Sequence, residues 1–143
     1  MVNVVFCLVC GTMRAEGGSP EQKCPVVINR TELGYNHQGG QSKPYLRVEF
    51  GNTAGKQIST IVYGLSVLDP GGNPHPYPDE LMYQGGLETG KKRAFTWELA
   101  REFVDIHRSG ETVVVKRVEF IDTTHWIDDG SERCAFTVDF HAR

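Results

Sequence analysis

The sequence holds no H-x-H, no H-E-x-x-H and no G-x-S-x-G, and its C-x-x-C, Cys7 to Cys10, has no second copy to complete a zinc ribbon. Each absence removes a chemistry. The five histidines, His37, His75, His107, His125 and His141, stand far apart, so they read as surface or loop residues unless the fold converges them. Ser66 follows Gly64-Leu65 but lies inside an apolar strand pattern, away from the strained turn on which a nucleophile elbow depends. Blocks of like charge are missing too. With 15 basic and 18 acidic residues the net charge is -3, which leaves no footprint for nucleic acid or an anionic membrane. No apolar run approaches the ~20 residues needed to span a bilayer as a helix. Repeats and low-complexity stretches are absent, and 143 residues suit one domain.

What is present is β-forming. Sixteen glycines and seven prolines gather between short apolar runs, the punctuation of many strands joined by turns. In the phrase from Leu46 to Phe50, Leu46, Val48 and Phe50 point one way and Arg47 and Glu49 the other, the period of a half-buried strand. Asn52-Thr53-Ala54-Gly55 then reads as a tight reversal, in which Asn and Gly accept positive φ, leading into a strand over Gln57 to Leu68. Further strands are expected at Val26–Leu33, Tyr45–Phe50, Leu81–Tyr83, Arg93–Trp97 with Phe95 and Trp97 inward, and Thr112–Ile121. In the last of these Val114, Val118 and Phe120 share a face and Lys116 is an exception. The final strand carries Cys134, Phe136, Val138 and Phe140 on one side and Thr137 and Asp139 on the other. Tyr35 to Ser42 reads as a turn-rich loop, and residues 70–90, with Pro70, Pro74, Pro76 and Pro78, as a long surface loop. Leu99, Phe103 and Ile106 recur at helical spacing, so a short helix is expected over Glu98–His107. The sum is an all-β, antiparallel, immunoglobulin-like sandwich of about seven strands with one short helix.

The first 23 residues read as a signal-peptide remnant and linker, and 24–143 as the domain. A short apolar run from Val2 to Met13 is followed at once by polar residues, with Ala15 a tolerable last residue before cleavage. Neither Lys nor Arg precedes the run, and a first β-strand is the competing reading. Cys10 lacks the Leu-small-small lead of a lipid anchor. Cys24 and Cys134 bracket the domain, so in an exported protein they are expected to pair, stabilising the fold by about 4 kcal/mol in the chain-entropy picture. Two isolated thiols are the alternative.

With these residues in view, the chain resembles the bacterial FxLYD domains, immunoglobulin-like or fibronectin-like modules of exported proteins. Asn52-Thr53-Ala54-Gly55 and Ile58 are similar to the first part of their pattern, and Leu65-Ser66-Val67-Leu68-Asp69 to the Phe-x-Leu-Tyr-Asp phrase. Leu87-Glu88-Thr89-Gly90 followed by Phe95 looks like their Pro-Gly-then-Phe segment, with Thr89 in place of Pro. The resemblance spans residues 26–121. It implies a sandwich fold and a secreted or periplasmic location in bacteria, and supplies no active-site residues.

Asp122 to Glu132 is the richest polar stretch; its acids lack the spacing of an EF-hand loop, and Asp129-Gly130 suits a hairpin turn. Glu98 with Glu102, and Asp128 with Asp129, read as solvated carboxylates. Among the aromatics Tyr35, Tyr45, Tyr77, Tyr83 and Trp126 fall at loops or outward positions, where a ring stacks on a sugar face or anchors a protein. Trp126 beside His125 is the leading binding candidate, with Tyr77 and Tyr83 in a neighbouring loop. A tryptophan closing the end of the core is the competing reading. The expectation is a non-catalytic exported binding or structural module that contacts protein. Carbohydrate binding through those aromatics is the second reading, and a small hydrolase or metal-binding protein the third. No cofactor and no nucleic-acid partner are implied, and membrane association is peripheral or none.

Overall fold

The computed structural model describes residues 23–100, Phe103 and 108–139. Two antiparallel sheets pack face to face as a β-sandwich. The first is three-stranded. It is built from β1 (Val26–Gln38), β2 (Gln41–Asn52) and β6 (Lys92–Glu98), in the order β1-β2-β6. At the centre of the second lie β3 (Ile58–Leu68) and β7 (Gly110–Phe120), paired along their length. Short strands line its two sides: β4 (Pro74–Pro76) and β5 (Leu81–Tyr83) on β3, and β8 (His125–Ile127) and β9 (Ala135–Asp139) on β7. That makes nine strands among the described residues where about seven were expected, the additions being the three-residue pieces β4 and β8.

Alternation decides what is buried. Leu46, Val48 and Phe50 of β2 are fully buried, and so are Ile61, Tyr63 and Val67 of β3. Across the larger sheet Tyr83, Ile61, Val118 and Trp126 form one row, from β5 through β3 and β7 to β8, and all four face the core. Five rings close a circuit between the sheets: Phe50–Tyr63, Tyr63–Trp97, Trp97–Phe95, Phe95–Tyr83 and Tyr83–Phe50, with centroids 5.0 to 5.7 Å apart. Edge-on and tilted pairs of this kind favour the ring quadrupoles and add to burial.

Several expectations need correction. Tyr35 to Ser42 is no loop. Gly39 and Gly40, at φ 62° and 79°, make a two-residue turn with both residues left-handed, so pairing runs without interruption to Gln38↔Gln41. Asn52 to Gly55 is no tight hairpin either, because β2 and β3 belong to different sheets. Neither Asn52 nor Gly55 has a positive φ. Asn52 works through its side chain: it is buried, Nδ2 donates to the carbonyls of Lys56 (3.0 Å) and Leu87 (2.8 Å), and Oδ1 accepts from the Ala54 N–H (2.8 Å). Thr53 ties the same corner to the start of β1, its N–H bonding Pro25 O and its hydroxyl Cys24 O.

In β7, Val114 does not share a face with Val118. The register steps from Val62↔Arg117 to Tyr63↔Val115, leaving Lys116 as the extra residue of a bulge that flips the parity. Inward positions before the bulge are therefore Glu111, Val113 and Val115. Lys116 lays its stem over Gly64, where a side chain would collide with it. Of the helix expected over Glu98–His107, Phe103 is the one described residue with helical backbone, its N–H bonding Ala100 O at 3.3 Å. Glu98 ends β6, Leu99 bonds back to Pro44 O, and residues 101, 102 and 104–107 lie outside the described residues, as do Phe140 and the signal-remnant stretch 1–22.

Cys24 and Cys134 are joined in a disulfide, with Cα atoms 5.7 Å apart and a separation of 110 positions in sequence. It clasps the entry of β1 in one sheet to the entry of β9 in the other. A closed loop of this length removes about 4–5 kcal/mol of unfolded-state entropy in the chain-entropy picture.

Candidate functional site

The four binding candidates do not converge. Trp126 is 7% exposed, and its partner across the sheet, Val118, puts it on the inward face. It closes the core and offers no ring to a ligand. His125, its neighbour by alternation, points outward at the rim of a shallow depression with Ser59, Glu119, Ile121 and Thr123. Tyr83 lies on the opposite side of the larger sheet from Trp126, buried, with its hydroxyl donating to Gly86 O at 2.9 Å. Tyr77 is half-buried against Phe103, and its hydroxyl oxygen accepts from the Ala100 N–H. All three aromatic rings therefore hold the fold together.

The aromatic that does face outward is Tyr45. It stands in the middle strand of the three-stranded sheet, and the register places Glu32, Arg47 and Thr96 in one row across that sheet and Gly34, Tyr45 and Glu98 in the next. Asn36 and Lys43 follow in a third row. Together they line an open groove of about 520 Å³ on the outer face. Gly34 shapes it. Any Cβ at that position would meet the Tyr45 hydroxyl at 3.0 Å and the ring at 3.2 Å, so the missing side chain lets the ring lie down across β1. Around the ring the charges alternate in sign. Lys43 pairs with Glu98 at 3.7 Å and Arg47 with Glu49 at 2.7 Å, all four side chains being partly exposed. The result is an aromatic floor with carboxylates, cations and an amide at its rim.

Ionisable groups elsewhere serve turns. Asp69 accepts from the N–H groups of Gly71 and Asn73 and from His75 Nε2, a set of bonds, led by His75, that lowers its pKa to about 2. Asp122 is likewise lowered to about 2, first by the Thr124 hydroxyl and N–H and then by Lys56. Asp129 is lowered by Ser131 and, more weakly, by Arg133. Asp128 instead caps Gly130, which has φ 96°, but β8 and β9 both pair with β7 and not with each other, so the turn here is not the hairpin expected of Asp129-Gly130. Among the described residues no three His, Cys, Asp or Glu gather as metal ligands, and no helix is long and apolar enough to cross a membrane.

Glu111 is the exception in the interior. It is 2% exposed, Oε2 has no hydrogen-bond partner, and burial pushes its pKa up against the opposing pull of Arg108 and the Thr31 hydroxyl. Alternation from Val113 would have found it only with the Lys116 bulge known.

No family model matches the chain, and no curated protein matches it. Among solved structures it is similar to a protein described as the X-ray structure of Northeast Structural Genomics Consortium target SoR45. The TM-score is 0.45 and the identity 8%, over 80% of this chain and 86% of that one.

Proposed function

We propose that this chain is a non-catalytic, exported binding module of FxLYD-like type, working at the cell surface or in the periplasm, whose outer three-stranded face takes an extended segment of another protein. One observation carries the reading: Gly34 lets the Tyr45 ring lie flat at the centre of a groove rimmed by Glu32, Arg47, Lys43 and Glu98. A peptide offers both an apolar side chain for such a floor and paired donors and acceptors for such a rim. The disulfide supports export, since disulfides persist in oxidising compartments. A photo-crosslinking residue at Thr96, inside the groove, tests it against one at Ile127, which is exposed on the far sheet. Adducts with a different protein, as distinct from a second copy of this chain, are expected from position 96 alone in the exported fraction; adducts only with its own copy, or equal adducts from both positions, contradict the reading.

The flat tyrosine also favours a carbohydrate reading, because such a ring stacks on a sugar face. It rests on Tyr45 rather than Trp126. Titration of a glycan panel, read through tyrosine and tryptophan fluorescence, separates the two: a saturable change that Tyr45→Ala abolishes supports sugar, and silence across the panel removes it.

A further inference from the structure

Among the described residues β6 is an edge strand, bonded to β2 and to no other strand. Its backbone alternates. The Leu99 N–H bonds Pro44 O (2.9 Å) beyond one end and the Asn52 N–H bonds Lys91 O (3.0 Å) beyond the other, so the odd-numbered residues direct their backbone groups at β2. The N–H and C=O of Lys92, Ala94, Thr96 and Glu98 consequently face away from the sheet, a row of unmade ladder bonds. Edge strands are commonly protected by charge, yet this one carries opposite charges at its two ends.

We infer that β6 pairs antiparallel with β6 of a second copy of this chain, about a two-fold axis through Phe95. In that register Lys92 stands opposite Glu98, Arg93 opposite Trp97, Ala94 opposite Thr96, and Phe95 opposite its own copy. Each match is favourable. The outward-facing pairs, Lys92 with Glu98 and Ala94 with Thr96, are those whose free backbone groups meet and exchange both ladder bonds. Lys92 and Arg93 make no salt bridge among the described residues, whereas Glu98 already holds Lys43, so the new contact extends that pair into a Lys43–Glu98–Lys92 chain. On the inward side Arg93 meets the Trp97 ring, which a guanidinium favours. Phe95, 38% exposed despite facing inward, meets its copy at the closely spaced, non-bonded type of pair. Such an isologous contact joins two three-stranded sheets into one of six strands and closes without leaving a free β6 edge. A slip by one residue puts Phe95 against Ala94 or Thr96 and loses the charge match. The contact uses the edge of β6 and leaves Tyr45 uncovered, so it goes beyond the groove reading and stands or falls separately.

Sedimentation velocity on the whole chain across a concentration series tests it, with circular dichroism confirming the fold of each variant. A monomer–dimer equilibrium is expected for the natural sequence. Lys92→Glu, and separately Glu98→Lys, place like charges opposite one another twice per dimer and are expected to weaken dimerisation about tenfold. The double exchange, Lys92→Glu with Glu98→Lys, restores the match and is expected to recover the natural affinity. A chain that stays monomeric at high concentration overturns the inference. So do single variants that dimerise as well as the natural chain, or a double variant no better than the singles.

Discussion

Glu111 shows how one inward position sets a pH dependence. Its pKa is raised above the unfolded value of 4.5, so between that pH and the folded value the native state holds more protons than the unfolded state. Stability from this residue is fully present below pH 4.5 and falls as pH rises through the folded pKa. Asp69 and Asp122 act in the opposite sense: lowered to about 2 from 3.8, they stabilise above pH 3.8 and lose that contribution as pH falls towards 2. Urea unfolding from pH 2 to 8 should therefore pass through a maximum. Glu111→Gln should raise the midpoint temperature at pH 7 by about 4 °C and remove the decline on the alkaline side; an unchanged pH profile would show that Glu111 is not the group responsible. Gly110 makes a second prediction. A Cβ there would strike the Val138 carbonyl in the neighbouring strand, so Gly110→Ala should destabilise by about 2 kcal/mol or more, measured by chemical unfolding. Sequence alone showed Asn52 and Trp126 as notable. Whether each was buried depended on its partner, Leu87, 35 residues on, for Asn52 and the inward face of Val118 across the β7–β8 turn for Trp126, neither of which the local pattern of its own segment contains.

At the scale of the element, period two was readable where a strand ran regularly, as in β2 and β6. It misled where a bulge reversed it. Counting alternately from Val118 back to Val114 crosses Lys116, and the extra residue puts Val114, though buried, on the opposite face from Val118. The Tyr35–Ser42 stretch was rich in turn-forming residues, but two adjacent glycines sufficed to turn the chain and the rest continued the ladder. Replacing Gly39 and Gly40 together by alanine should cost about 2 kcal/mol in urea unfolding, because both hold positive φ; a smaller loss than 0.5 kcal/mol, on the order of ordinary surface changes, would argue against the tight turn. The circuit of five rings links β2, β3, β5 and β6. Trp97→Ala breaks two of its contacts and the indole bond to Met82 O at 2.9 Å, and should cost about 3 kcal/mol, read by the same method.

For the whole molecule, the sandwich class followed from composition and spacing, while the pairing order did not, since which strands meet across the interior depends on register rather than on any segment. The outer groove was invisible for the same reason. Glu32, Arg47 and Thr96 are ordinary outward residues in sequence and become neighbours only when β1, β2 and β6 align. Cys24 and Cys134 were different, two cysteines placed so far apart that a bond between them had one structural meaning. That bond also ties together the two sheets between which the buried Glu111 and the ring circuit lie. Its removal by Cys24→Ser should lower stability by about 4 kcal/mol in denaturant unfolding.

The most direct measurement is peptide mapping of the natural protein by mass spectrometry, alkylated before and after reduction. A cross-linked fragment carrying both Cys24 and Cys134, which disappears on reduction, is the predicted result. Full alkylation of either thiol without reductant would contradict it, and with it the clasped two-sheet arrangement.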